Sequence, residues 1–63
     1  MNKPLAFDFD GYELFEGDYV AADKKLYKIN KINLGTDTAE LELMHVKTTK
    51  IVKRKDFEVE RLN

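Results

Sequence analysis

The sequence predicts an all-β fold: a compact five-stranded small barrel preceded by an irregular acidic N-terminal arm. Three observations carry this expectation. Thr38 to Leu43 alternates strictly, with Ala39, Leu41 and Leu43 on one parity and Thr38, Glu40 and Glu42 on the other, which is the period of a strand with one face buried. Turn-forming clusters recur at short intervals: Glu16-Gly17-Asp18, Asp23-Lys24-Lys25, and Asn33 to Asp37 around Gly35. The closing stretch, Ile51 to Leu62, has apolar residues at 52, 57, 59 and 62 separated by charge. It reads as a strand, one tight turn and a short final strand, the way many small barrels close.

The elements follow in order. Residues 1–14 form the arm: Pro4, Gly11 and alternating acids break any period, while Phe7, Phe9 and Tyr12 are apolar enough for part of it to pack. The barrel spans residues 15–63 as a single domain. Tyr19 to Ala22 is the first strand, with Val20 and Ala22 facing in. Leu26 to Leu34 is the second. Tyr27 and Ile29 share a face, but Ile32 and Leu34 fall on the opposite parity, so a β-bulge near Asn30-Lys31 is expected to return them to the core. Thr38 to Leu43 is the third strand. Ala, Glu, Leu and Met over residues 39–47 are also good helix formers, yet a helix there would give no clean apolar stripe, and the strand is favoured. Thr48 to Val52, β-branched apart from Lys50, is the fourth strand, and the short final strand, where Phe57 and Val59 alternate with Glu58 and Glu60, the fifth. The expected core is Val20, Ile29, Ile32, Leu41, Leu43, Val52, Phe57 and Val59.

Size and composition narrow the function classes. A chain of 63 residues buries only about 60% of its unfolded surface, so one small core must hold it. Cysteine is absent, which removes disulfides and thiolate metal sites and fits a reducing compartment. No apolar run reaches the roughly 18 residues of a membrane span, and the start, one Lys followed by acids, is unlike a signal peptide. A soluble cytoplasmic protein with no membrane partner is expected. Net charge is −1, unevenly spread: residues 1–23 carry one Lys and six acids, residues 24–63 ten bases and six acids. Such asymmetry steers partners, unless the acidic arm folds over the basic half and cancels it.

Gly17-Asp18-Tyr19-Val20 after Phe15, the long bent strand and hairpin that follow, and Val52-Lys53-Arg54-Lys55-Asp56-Phe57-Glu58-Val59 together resemble SH3-like small barrels of the Tudor and KOW kind. Those open on Gly-Asp-x-Val and close on Val-x-x-x-Asp-hydrophobic around three central strands. The resemblance covers residues 15–62 and implies an SH3-like barrel used as a binding scaffold. Its familiar ligands do not carry over. There is no Trp for a proline-peptide groove, residues 28–56 hold no aromatic from which to build a methyl-lysine cage, and Asp23-Lys24-Lys25 lacks the glycines of a KOW hairpin. Fold does not fix function.

Several motifs invite chemistry and fall short of it. Leu5 to Gly11 has the hydrophobic run and Asp-x-Asp-Gly of haloacid-dehalogenase phosphatases, but Tyr12 stands where Thr is expected and the chain is too short for the sheet that supplies the other catalytic groups. Asp8, Asp10 and Glu13 hint at calcium, without the twelve-residue loop and its flanking helices; a solvated acidic turn is the plainer expectation. His45 is the single histidine, with no apparent partner for nucleophilic or metal chemistry. No cofactor is expected and no catalytic or metal-binding residue is assigned.

Two sets of residues point to binding. Lys47, Lys50, Lys53, Arg54 and Lys55 fall within nine residues free of acid, and five neutralised phosphates would give a log–log salt slope of about −4 to −5. The plainer use of lysines on an edge strand is to deter aggregation. Tyr12, Tyr19 and Tyr27 are candidate aromatic contacts, able to stack bases or anchor a protein, or to pack half-buried. The expected function is a small non-enzymatic protein-interaction module or regulator, of a size and Lys/Asn content that would suit a mobile element such as a phage. The alternative is a nucleic-acid-binding module using segment 47–55. Near-zero net charge favours a protein partner, with weak homo-oligomerisation through an edge strand as a further expectation.

Overall fold

The computed structural model describes residues 6–62; Pro4 and Leu5 of the expected arm, and Asn63, lie outside the described residues. Seven strands form two sheets: β1 (Ala6–Phe7), β2 (Glu13–Leu14), β3 (Tyr19–Ala22), β4 (Lys25–Leu34), β5 (Ala39–His45), β6 (Ile51–Lys55) and β7 (Glu60–Arg61). β1 and β2 pair with each other; the rest make one antiparallel sheet in the order β6-β5-β4-β3-β7. No helix longer than a 3-10 turn at Asp56–Glu58 is present among the described residues. The fold is all-β, as the period-two pattern requires, and residues 39–45 are strand.

The sheet is open. Its end strands β6 and β7 are not paired to each other, so the expected closed barrel is not formed by backbone pairing among the described residues. The sheet is curled nonetheless, since the Arg54 side chain on β6 reaches Asp23 in the β3–β4 turn at 3.0 Å. The expected bulge in β4 lies where the parity breaks: the register with β5 shifts between Ile29 and Lys31. Tyr27 and Ile29 face the core before it, and Ile32 packs against the core after it. Leu34 does not follow; it is exposed at the hairpin tip.

The turns explain the strand lengths. Asp23 and Lys24 both adopt positive φ (53° and 62°) between the paired residues Ala22 and Lys25. A two-residue loop of this kind matches the twist of the strands it joins. Gly35 donates its N–H to the Thr38 carbonyl in the β4–β5 turn, and a Cβ there would lie 2.6 Å from that oxygen. Strand β6 begins at Ile51, because a turn at Val46–Thr48 and positive φ at Thr49 occupy the segment expected to be extended.

Val20, Ile29, Leu41, Leu43 and Val59 are fully buried, joined by Ala6, Leu14, Ala22, Tyr27 and Ala39; Ile32 and Val52 lie at the core margin. Phe57 does not belong to it. The start of the predicted final strand is a 3-10 turn over Asp56–Glu58 that turns Asp56 inward and leaves Phe57 51% exposed, and the short final strand begins only at Glu60. The N-terminal segment is not irregular throughout: β1 and β2 form a small hairpin that contributes Ala6 and Leu14 to the core. Phe7, Phe9 and Tyr12, expected to anchor it, are exposed.

Candidate functional site

Strand pairing disperses the basic run. Lys47 and Lys50 lie in the β5–β6 loop. Lys53 and Lys55 sit on the outer face of β6, in register with Glu42 and Glu40 of β5, so each lysine has a carboxylate on the adjacent strand. Arg54 shares the inner parity with Val52 and ion-pairs with Asp23. The Asp23 hydrogen bond holds its guanidinium pKa above the ordinary value. Arg54 therefore lies on the opposite face of β6 from Lys53 and Lys55, while Lys47 and Lys50 are exposed in the loop before the strand. A different grouping appears instead. Lys24 and Lys25 join Lys47 around a cleft of about 340 Å³ walled by Leu26, His45 and Val46. Lys24 and Lys47 are far apart in sequence. Counting register back from the Gly35 hairpin through the bulge is the one signal that brings them together, fixed in the structure by the Val46 N–H donating to the Leu26 carbonyl.

The three tyrosines separate in the same way. Tyr27 is only 4% exposed and meets the His45 ring edge-on at 5.3 Å, so it is a core residue and offers no surface contact. Tyr19 is exposed on the outer face of β3, and Tyr12 lies at the surface with the Arg61 guanidinium 6.0 Å from its ring centre. His45 Nδ1 faces the backbone N–H and hydroxyl of Thr48, and no group of three metal-ligating side chains occurs among the described residues.

Asp8, expected in a solvated turn, is buried. Its Oδ1 accepts the N–H groups of Asp10 and Tyr12, closing the loop between β1 and β2, and its Oδ2 accepts the Arg61 N–H. Burial pushes the carboxyl pKa up, but the N–H groups of Arg61, Tyr12, Asp10 and Gly11 together pull it below the ordinary 3.8. The Asp-x-Asp-Gly motif is thus a structural clamp. Among the described residues, the ion pairs between the acidic and basic segments are Asp23 with Arg54 and a longer one, Asp18 with Arg61 at 3.8 Å.

One shallow concavity was not legible from the residue pattern. Phe9, 77% exposed, and Phe57 stand beside a shallow groove of about 530 Å³ that also involves Ala21, Ala22 and Val59. Its charged rim is Asp23, Lys24, Glu58 and Glu60. Phe9 is held there by its N–H bond to the Val59 carbonyl, and Phe57 by the 3-10 turn.

No protein-family model matches this chain, no curated protein shows significant similarity to it, and no solved structure matches its fold. No helix among the described residues is long and apolar enough to cross a membrane.

Proposed function

We propose that this chain is a non-enzymatic protein-interaction module or small regulator on an SH3-like small-barrel scaffold. The scaffold reading is supported by the strand order, with the last strand returning beside the first long one, and by the 3-10 turn before it. The reading of function rests on one observation: Phe9 and Phe57 stay exposed while both line one shallow groove whose other apolar residues are Ala21, Ala22 and Val59. Leaving a large apolar side chain in water forgoes about 2 kcal/mol, and clustered exposed apolar groups mark interaction sites. Three of the four charges on the rim are acidic. The partner segment therefore presents an apolar side chain flanked by basic residues.

The test compares wild type with the Phe9→Ser/Phe57→Ser double variant as immobilised baits, followed by reconstitution with each purified candidate. The expected result is a partner that binds wild type directly and is lost by the variant at unchanged melting temperature. Equal binding by both proteins overturns the groove reading.

A second reading, nucleic-acid binding, is favoured by the cleft that brings Lys24, Lys25 and Lys47 together. It moves the contact surface away from Lys53 and Lys55, which lie in register with glutamates of β5, and from Arg54, which pairs with Asp23 in the β3–β4 turn. Anisotropy titrations of single-stranded DNA, duplex DNA and RNA test it. Three phosphate contacts would give a salt slope of about −2 to −3, abolished by Lys24→Glu/Lys47→Glu.

A further inference from the structure

One edge of the main sheet is closed and the other is not. At the β7 end, the Val59 carbonyl accepts the Phe9 N–H and the Arg61 N–H goes to the Asp8 carboxylate, so the N-terminal segment covers that edge. At the β6 end nothing lies alongside among the described residues. The His45 N–H donates to the Lys50 carbonyl. With the β5–β6 register, that bond places the backbone groups of Val52 and Arg54 toward β5 and those of Ile51, Lys53 and Lys55 outward. Two of the outward groups are satisfied within the chain: Glu58 accepts the Lys55 N–H and the Arg54 guanidinium donates to the Lys53 carbonyl. Both backbone groups of Ile51, the Lys53 N–H and the Lys55 carbonyl remain directed outward.

The side chains on the outer face specify what fits beside them. Across β4, β5 and β6 the register aligns Lys31 with Glu42 and Glu42 with Lys53, and in the next row Asn33 with Glu40 and Glu40 with Lys55. Charge alternates from strand to strand in the first row, the second starts from a neutral Asn33, and in both β6 ends the series on lysine opposite a glutamate. A third row, Lys28, Met44 and Ile51, ends on an exposed isoleucine. Directly opposed like charges are destabilising in a sheet and opposite ones stabilising. A second copy is the wrong occupant: antiparallel pairing of two β6 strands about Lys53 would set lysine against lysine.

We propose that the β6 edge binds an extended acidic segment of a protein partner, which adds to the sheet as its sixth strand. In the antiparallel sense that segment carries acids at two alternate positions, opposite Lys55 and Lys53, and then an apolar residue opposite Ile51. Strand addition of this kind takes affinity from main-chain hydrogen bonds and specificity from alternate side chains. The lysines that deter self-pairing thereby select the acidic partner. The site touches the rim of the Phe9–Phe57 groove at Glu58, which accepts the Lys55 N–H, but it rests on different observations and is tested independently.

The β5 sequence itself has the required pattern, since Glu40, Glu42 and Met44 already face Lys55, Lys53 and Ile51. The probe is therefore a synthetic peptide of residues 38–46, compared with its Glu40→Lys/Glu42→Lys counterpart and titrated into the labelled full chain by amide NMR. The expected result is saturable shifts confined to Ile51–Lys55 and their neighbours, with the lysine peptide weaker by about tenfold or more. Lys53→Pro, which removes an outward N–H at an edge position where proline is tolerated, should abolish binding. Lys53→Glu/Lys55→Glu should reverse the peptide preference, and both variants are first checked for a wild-type amide spectrum in β3 to β5. If one does not fold, the wild-type peptide comparison decides alone. Equal binding of both peptides, shifts spread along β4 as in strand exchange, or no binding up to millimolar peptide overturns the proposal. The Phe9→Ser/Phe57→Ser variant should bind the peptide normally.

Discussion

The Asp8 carboxylate accepts the Arg61 backbone N–H at 2.7 Å, tying together residues 53 positions apart. Its other oxygen holds the β1–β2 loop through Asp10 and Tyr12. One buried side chain thus shapes a local turn and fastens the N-terminal hairpin over the β7 edge. Removing it strands N–H groups at both ends of the chain. Asp8→Ala should cost about 2–4 kcal/mol, a large part of the stability of so small a domain, read as the urea midpoint at pH 7.

The same clamp has a signed pH dependence. The folded Asp8 carboxyl titrates below 3.8, lower than in the unfolded chain. Its contribution is therefore complete above the unfolded value and lost as pH falls through the folded one. The gap between wild-type and Asp8→Ala midpoints should be constant from pH 7 to about 5 and shrink below 4. A gap that widens on acidification would mean the carboxyl is protonated in the fold.

Leu41 and Phe57 should separate stability from binding. Leu41 is fully buried, and Leu41→Ala should cost about 3 kcal/mol through lost burial and a cavity. Phe57 is half-exposed, and Phe57→Ala should change stability by no more than about 0.5 kcal/mol. Paired urea titrations check both; a large loss for Phe57→Ala would place its ring in the core.

The β3–β4 turn is strained at Lys24, a non-glycine residue at φ 62°. Lys24→Gly should stabilise the protein by about 0.5–1 kcal/mol by removing the left-handed penalty. Asp23 is left in place because it pairs with Arg54. Thermal melting at fixed protein concentration reads the shift.

Gly35 gives the opposite result. A Cβ would meet the Thr38 carbonyl oxygen at 2.6 Å, and backbone on the far side of a tight turn cannot yield cheaply. Gly35→Ala should destabilise by about 1–3 kcal/mol, with amide shifts confined to the tips of β4 and β5.

Some of this structure was written in local chemistry. The alternation over Thr38 to Leu43 sets the inward face of β5, because a strand exposes successive side chains to opposite sides wherever it pairs. The parity break between Ile29 and Ile32 gives the bulge for the same reason, and Gly17, Asp23-Lys24 and Gly35 mark turns that depend on a few adjacent residues. The composition and the two-residue period together determined that the chain would be all-β. Tertiary structure decided the rest. Phe57 left the core because the chain tightened into a 3-10 turn, which period two cannot foresee. Tyr27 followed Ile29 into the core, as their shared parity implied, and the sheet decided how deeply it is buried. Arg54 parted from Lys53 and Lys55, since neighbours on a strand point to opposite faces: the lysines lie in register with glutamates of β5, while Arg54 reaches Asp23 in the β3–β4 turn. Lys24 met Lys47, Phe9 met Phe57, and Asp8 met Arg61 only through strand register, which depends on the whole sheet and on no local run of residues.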